Sequence, residues 1–256
     1  MRMRIGIICG HPIKGLFEEQ QTIDVTTSYG SVSVLMGNVG RHEIVFINRH
    51  GKDANIPPQR ISYRANLQAL ASSHVDCVIS IGTVGSLKKS IAPGDFVVPH
   101  DFFDMTCCRD MTFYDTKRVH VDMTDPFCPA LRKNLIASCG RKDAIHVHQK
   151  AIYVATQGPR LESVAEIKFY ATIGDIVGMT LVPEVVLARE LGMCFTSLCV
   201  VCNMAAGMQE NLSVNDIKRM YAAKEPFVAE IIRDTIGLLS AQKDCECMKR
   251  SKDALL

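Results

Sequence analysis

Continuous apolar runs that alternate with stretches of helical spacing constrain this chain more than any other feature. Ile5–Cys9, Cys77–Gly82, Ala151–Thr156, Ile176–Met179 and Cys194–Cys202 are strand-length and largely apolar, the pattern of strands buried on both faces. Phe96–Val98 is a shorter run, opened by the turn Pro93-Gly94-Asp95. Ser31–Met36 and Glu43–Asn48 read as a hairpin around Gly37 to Gly40. Helical spacing occupies Ile61–Ala71, with Tyr63, Leu67 and Leu70 on one side, then Pro129–Gly140, Ser163–Ile173, Val214–Ala223 and Pro226–Leu239. Pro183–Leu191 is also helical, with proline near its first turn and Gly192 after its end. This order predicts an α/β fold with a mixed central β-sheet flanked by helices. No linker or charge block divides the 256 residues. One domain over residues 1–256 is therefore expected, with residues 1–4 and 243–256 as tails.

Composition excludes several classes of function. The formal charge is +2, so no basic surface argues for a nucleic-acid partner. Lys243 to Lys252 is mildly basic and reads as a solvated terminus. No run approaches the roughly 18 apolar residues of a membrane span. Met1-Arg2-Met3-Arg4 precedes only a first strand, so no signal peptide is expected and the protein is expected in the cytoplasm. Of the eleven cysteines, Cys9, Cys77, Cys194, Cys199 and Cys202 sit in strand-like runs and read as small buried hydrophobes. Cys199 and Cys202 have CxxC spacing, but in a strand rather than at a helix start, which argues against a redox motif. With no second CxxC and no histidine pair at zinc spacing, no metal site is expected. Cys245-Glu246-Cys247 is unusual; free thiols are the expectation there, with a disulfide involving one of these two cysteines as the alternative.

Three loops that follow strands have the composition of an anion site: Cys9-Gly10-His11-Pro12, Arg49-His50-Gly51, and Gly82-Thr83-Val84-Gly85-Ser86. Backbone amides at glycine turns cradle anions, and an arginine adds a positive fork suited to phosphate. Glu162 and Asn203 stand 41 residues apart, each at the edge of a strand, with Met179-Thr180 between them. Such a set is able to hold a purine edge, a ribose and a phosphate together.

These segments resemble the trimeric purine nucleoside phosphorylases, and among them the 5′-methylthioadenosine phosphorylase branch. The likeness runs from about Ile5 to Leu239 and is carried by Arg49-His50-Gly51, Val84-Gly85-Ser86-Leu87 with Pro93-Gly94-Asp95, Asp125-Pro126-Phe127-Cys128-Pro129, Gly158-Pro159-Arg160, and Met179-Thr180-Leu181-Val182-Pro183-Glu184-Val185. The resemblance implies a three-layer phosphorylase/hydrolase-like fold and phosphorolysis of a nucleoside to free base and ribose 1-phosphate. It implies phosphate as co-substrate and no cofactor or metal. It also implies a homotrimer or a dimer of trimers. By the same resemblance, His11, Arg49, His50, Gly82, Thr83 and Thr180 would hold phosphate. Met179 would pack on the sugar, while Leu161, Val177 and Val84 would sandwich the base. Asn203 would face N7 and the 6-substituent, and His120 would reach into a neighbouring subunit's site.

Two departures from the branch bear on the substrate. Where the methylthioadenosine enzymes have aspartates, this chain has Asn203 and Ala205; where they have a serine, it has Glu162. The Glu162/Asn203 pair resembles the branch that cleaves inosine and guanosine. Hypoxanthine and guanine carry an N1–H donor, which suits a carboxylate, whereas adenine presents a bare N1 acceptor. Polar complementarity of this kind discriminates by roughly 10⁴ or more. At the sugar end no histidine occupies Leu212 to Ile217, and Val214 resembles the apolar residue that contacts a 5′-methylthio group. His11 stands where relatives have serine or threonine. The expected activity is therefore 6-oxopurine nucleoside phosphorylase, with 5′-methylthioinosine as a further substrate. A 5′-methylthioadenosine phosphorylase is the alternative, and a nucleosidase that uses water is a more distant one.

Overall fold

A computed structural model of the chain describes residues 2–254 apart from 143, 212 and 241–243. In chain order the strands are β1 (Arg4–Cys9), β2 (Glu18–Thr27), β3 (Gly30–Val39), β4 (His42–Asn48), β5 (Cys77–Ser86), β6 (Phe96–Val97), β7 (Asp101–Met105), β8 (Val147–His148), β9 (Ile152–Thr156), β10 (Ile176–Gly178) and β11 (Cys194–Met204). The helices are α1 (Tyr63–Ser72), α2 (Pro129–Cys139), α3 (Val164–Ile173), α4 (Leu181–Glu190), α5 (Val214–Leu238) and α6 (Cys247–Lys252). The strands form one mixed sheet in the order β2-β3-β4-β1-β5-β10-β9-β7, with β11 along the other edge of β5 and with β6 and β8 beyond it.

Alternation along the central strands builds a core on each face. Ile5 and Ile7 of β1 join Cys77, Ile79 and Ile81 of β5 on the side covered by α2 and α5. Ile8 and Val78 face the side covered by α1 and α4. Burying each such aliphatic side chain contributes about 1.5–3 kcal/mol relative to exposure. Gly6 lies under α1, where a Cβ would come within 3.2 Å of Leu70, so its missing side chain lets the helix sit close.

Several elements differ from the sequence expectation, which has no strand at β7 or β8. β5 does not end at Gly82. It continues to Ser86 beside β11, with Val84 opposite Val201 and Gly85 opposite Asn203 across a bulge between Val201 and Asn203. The segment read as a glycine loop is thus strand. β2 is a polar edge strand, paired only with β3, and so carries no apolar run. The last two helical stretches are one helix, α5, with Pro226 inside. The C-terminal stretch is not a solvated tail: Cys247 is buried, Ser251 Oγ donates to Glu190 O at 2.8 Å, and Arg250 lies 3.2 Å from Asp125. Within that expected tail, residues 243, 255 and 256 lie outside the described residues.

The start of α3 sets the position of Glu162. Ser163 is its N-cap; its hydroxyl accepts from Glu166 N, and the Glu166 carboxylate accepts from Ser163 N at 2.7 Å. A box of this kind contributes about 1 kcal/mol. Arg160 clamps the same Glu166 with two bonds. The acid that faces the helix dipole is therefore Glu166, and Glu162 is left free to turn elsewhere.

Candidate active site

The ends of β1, β4, β10 and β11 and the middle of β5 converge on one cavity of about 220 Å³. Thirteen of the residues singled out from the sequence line it: His11, Arg49, His50, Gly82, Thr83, Val84, Leu161, Glu162, Val177, Met179, Thr180, Asn203 and Ala205. The convergence follows from the topology. β5 runs between β1 and β10 on one edge and β11 on the other, so loops distant in sequence open at the same end of the sheet.

At one side of the cavity Gly10 approaches His50, whose Nε2 would lie 3.4 Å from a Cβ on the glycine. His50 Nδ1 sits 2.6 Å from Ile56 O, so the neutral ring holds its proton on Nδ1 and presents a lone pair at Nε2. Burial lowers the His50 pKa below its usual value; the Ile56 bond works against this, and the charge of Arg49 adds to the lowering. Thr180 is the N-cap of α4, yet its hydroxyl makes no capping bond.

Arg49 departs from the sequence reading. Rather than offering an open fork, it is buried and paired through Nε and Nη2 with Glu184, which is fully buried on α4. Nη1 donates to Ile81 O at 3.0 Å, and Nη2 also donates to Ser80 Oγ at 2.7 Å. Burial alone would lower the guanidinium's pKa, but the charge and hydrogen bonds of Glu184 raise it further above its usual value. The group reaches the cavity wall as a fixed positive charge whose bidentate face is already used.

At the other side Glu162 Oε1 accepts from Thr156 Oγ1 at 2.6 Å; Oε2 has no partner among the described residues. Asn203 Nδ2 donates to Met204 O at 2.8 Å. A Cβ on Gly85 would sit 3.1 Å from Asn203 Nδ2 and 3.3 Å from Val177, so the glycine leaves room for the amide. Gly178 has a similar reason: a Cβ there would overlap the Tyr153 hydroxyl.

Two singled-out residues lie away from this cavity. Val214, at the first turn of α5, is 57% exposed and does not line it; Ile217 and Tyr221 on the same helix do. His120 is exposed, and its backbone N–H donates to Ala254 O at 3.0 Å. The sequence reading also missed Arg109. Its guanidinium donates to the carbonyls of Thr156, Gln157, Met179 and Val182, tying the strand that leads to Glu162 to the turn that carries Met179 and Thr180.

Comparison with known proteins agrees with the fold. Residues 4–237 match the family described as Phosphorylase superfamily. A Methanocaldococcus jannaschii protein named "Probable S-methyl-5'-thioinosine phosphorylase" is 41% identical over 98% of this chain and 99% of its own length. A Dictyoglomus turgidum protein named "Probable 6-oxopurine nucleoside phosphorylase" is 40% identical over 98% and 97%. The solved structure of Schistosoma mansoni methylthioadenosine phosphorylase with adenine superposes with a TM-score of 0.92 at 30% identity, covering 99% of this chain and 98% of that one. The chain belongs to the phosphorylase superfamily. Within it, this is an enzyme of the purine nucleoside phosphorylase type.

Proposed function

We propose that the enzyme catalyses phosphorolysis of 6-oxopurine nucleosides, inosine and guanosine, and that it accepts 5′-methylthioinosine. The observation that supports the base assignment best is that Glu162 lines the same cavity as Asn203 and Ala205 and has, among the described residues, a hydrogen bond only at Oε1. The carboxylate accepts N1–H of hypoxanthine or guanine. The second N–H of Asn203 reaches O6, and its carbonyl accepts from a protonated N7. Adenine would set its N1 lone pair against the carboxylate, and with alanine at 205 its 6-amino group finds no acid there.

Phosphate binds between the Gly10-His11 turn, the Gly82-Thr83 backbone, the Thr180 hydroxyl and His50. His50 Nε2 accepts the remaining O–H of hydrogen phosphate, and the Arg49 charge lies behind it. One phosphate oxygen attacks C1′ as the C1′–N9 bond breaks. The electron pair of that bond passes to the purine, where Asn203 stabilises it, and the phosphate dianion faces the oxocarbenium-like sugar held by Met179. Positioning and electrostatics supply this catalysis, so the step needs no metal or organic cofactor. His120 completes the neighbouring subunit's site in a trimer or a dimer of trimers. Ile217 gives the α5 wall an apolar side chain, which suits a 5′-methylthio group. Hypoxanthine release from inosine is expected to require phosphate and to yield ribose 1-phosphate. Equal release without phosphate, with free ribose as product, would make the protein a nucleosidase.

A further inference from the structure

Four cysteines from three separated stretches of the chain meet away from the nucleoside cavity. They are Cys128, the N-cap residue of α2; Cys194, the first residue of β11; and Cys245 and Cys247 at the start of α6. Their sulfurs all lie within 4.8 Å of one another, and Cys194 Sγ is 3.3 Å from Cys245 Sγ. We propose that these four thiolates form a tetrahedral site for one zinc ion.

Ligands about 2.3 Å from a zinc at tetrahedral angles stand about 3.8 Å apart, so small side-chain movements bring this set onto the metal. Cys128, Cys194 and Cys247 are buried and Cys245 is half-buried, as in a closed structural site. Soft sulfur donors in this number select zinc over calcium or magnesium. A cavity of about 400 Å³ reaches Cys128, Cys194 and Cys245 from the surface and gives the ion a route in.

A second observation points the same way. Arg189 on α4 is buried, pairs with no carboxylate among the described residues, and has an Nε without a hydrogen-bond partner. It stands on α4, which packs against α6, the helix that begins at Cys247. A buried cation needs a counter-charge, and zinc with four thiolates carries two net negative charges. The site would also clamp the end of the chain onto the core. Residues beyond Cys247 hold Glu190 through Ser251 and hold the backbone of His120 through Ala254.

The test uses the full chain purified with reductant. Elemental analysis is expected to find about one zinc per chain. Cobalt added to the metal-stripped protein is expected to give thiolate-to-cobalt charge-transfer and tetrahedral d–d absorption. Cys247→Ser should abolish both, while Cys107→Ser, at an exposed cysteine elsewhere, should keep both. Stripping the metal should lower Tm by roughly 5 °C or more. Because metal content and cobalt spectra are read on the wild type, a poorly folding variant does not decide the matter. Absence of zinc together with absence of the cobalt bands would overturn the proposal. So would mass spectrometry of the alkylated, unreduced protein showing any of the four in a disulfide.

Discussion

Replacing Glu162 by alanine is expected to lower kcat/KM for inosine about 10²–10³-fold while leaving Tm nearly unchanged. The substitution removes a charge-assisted acceptor and strands the N1–H of the base without a partner. Together these effects amount to about 3–4 kcal/mol. The side chain itself sits in a segment already fixed by the Ser163–Glu166 box and by Arg160, so the fold does not depend on it. Among the described residues its one protein bond is to Thr156 Oγ1. A Thr156→Val variant therefore separates the two roles, since it removes the bond and keeps the carboxylate. The reciprocal experiment is the double change Glu162→Ser with Asn203→Asp, which should shift preference toward adenine nucleosides. If Glu162→Ala slows adenine and 6-oxopurine substrates equally, the carboxylate does not read the base.

Glu184→Ala is expected to produce the largest loss of stability, about 3–5 kcal/mol, because it leaves Arg49 charged and unpaired inside the protein. For a chain of this size that is a fall in Tm of roughly 10 °C, measurable by calorimetry. A double replacement, Arg49→Met with Glu184→Leu, should recover much of the stability, since a buried ion pair exchanged for apolar groups of similar volume is often neutral. Activity should not follow. The phosphate site would have lost its fixed positive charge, and KM for phosphate is expected to stay high in the refolded double variant.

The central strands and the site were legible in the sequence for one reason: continuous apolar runs such as Cys77–Gly82 and Cys194–Cys202 are bounded by residues that cannot be core. Where that contrast fades, so does the reading. β2 has no apolar run because it lies on an edge. β5 was cut short at Gly82 because glycine after an apolar run resembles a turn. Here Gly85 is required by a neighbour, the Asn203 amide, whereas a Cβ on Gly82 would meet nothing within 4 Å. Arg49 lines the cavity, but its pairing with Glu184 spans 135 residues, and no local spacing announces it. Arg109 lies in an irregular stretch and acquires its role only when four carbonyls from Thr156 to Val182 are brought around it. The cysteine cluster escaped for the same reason: 51 residues separate Cys194 from Cys245, and metal-ligand motifs are recognisable only where ligands are close in sequence. At the start of α5 the helix phase is not visible in the sequence, and the residue that lines the cavity is Ile217 rather than Val214.

The most direct measurement compares kcat/KM, at saturating phosphate, for inosine, guanosine, 5′-methylthioinosine, adenosine and 5′-methylthioadenosine on one preparation. The 6-oxopurine substrates are expected to exceed the adenine compounds by about 10³-fold or more, with 5′-methylthioinosine among the good substrates. A preference for 5′-methylthioadenosine would contradict the reading of Glu162 and Asn203 as the groups that select the base.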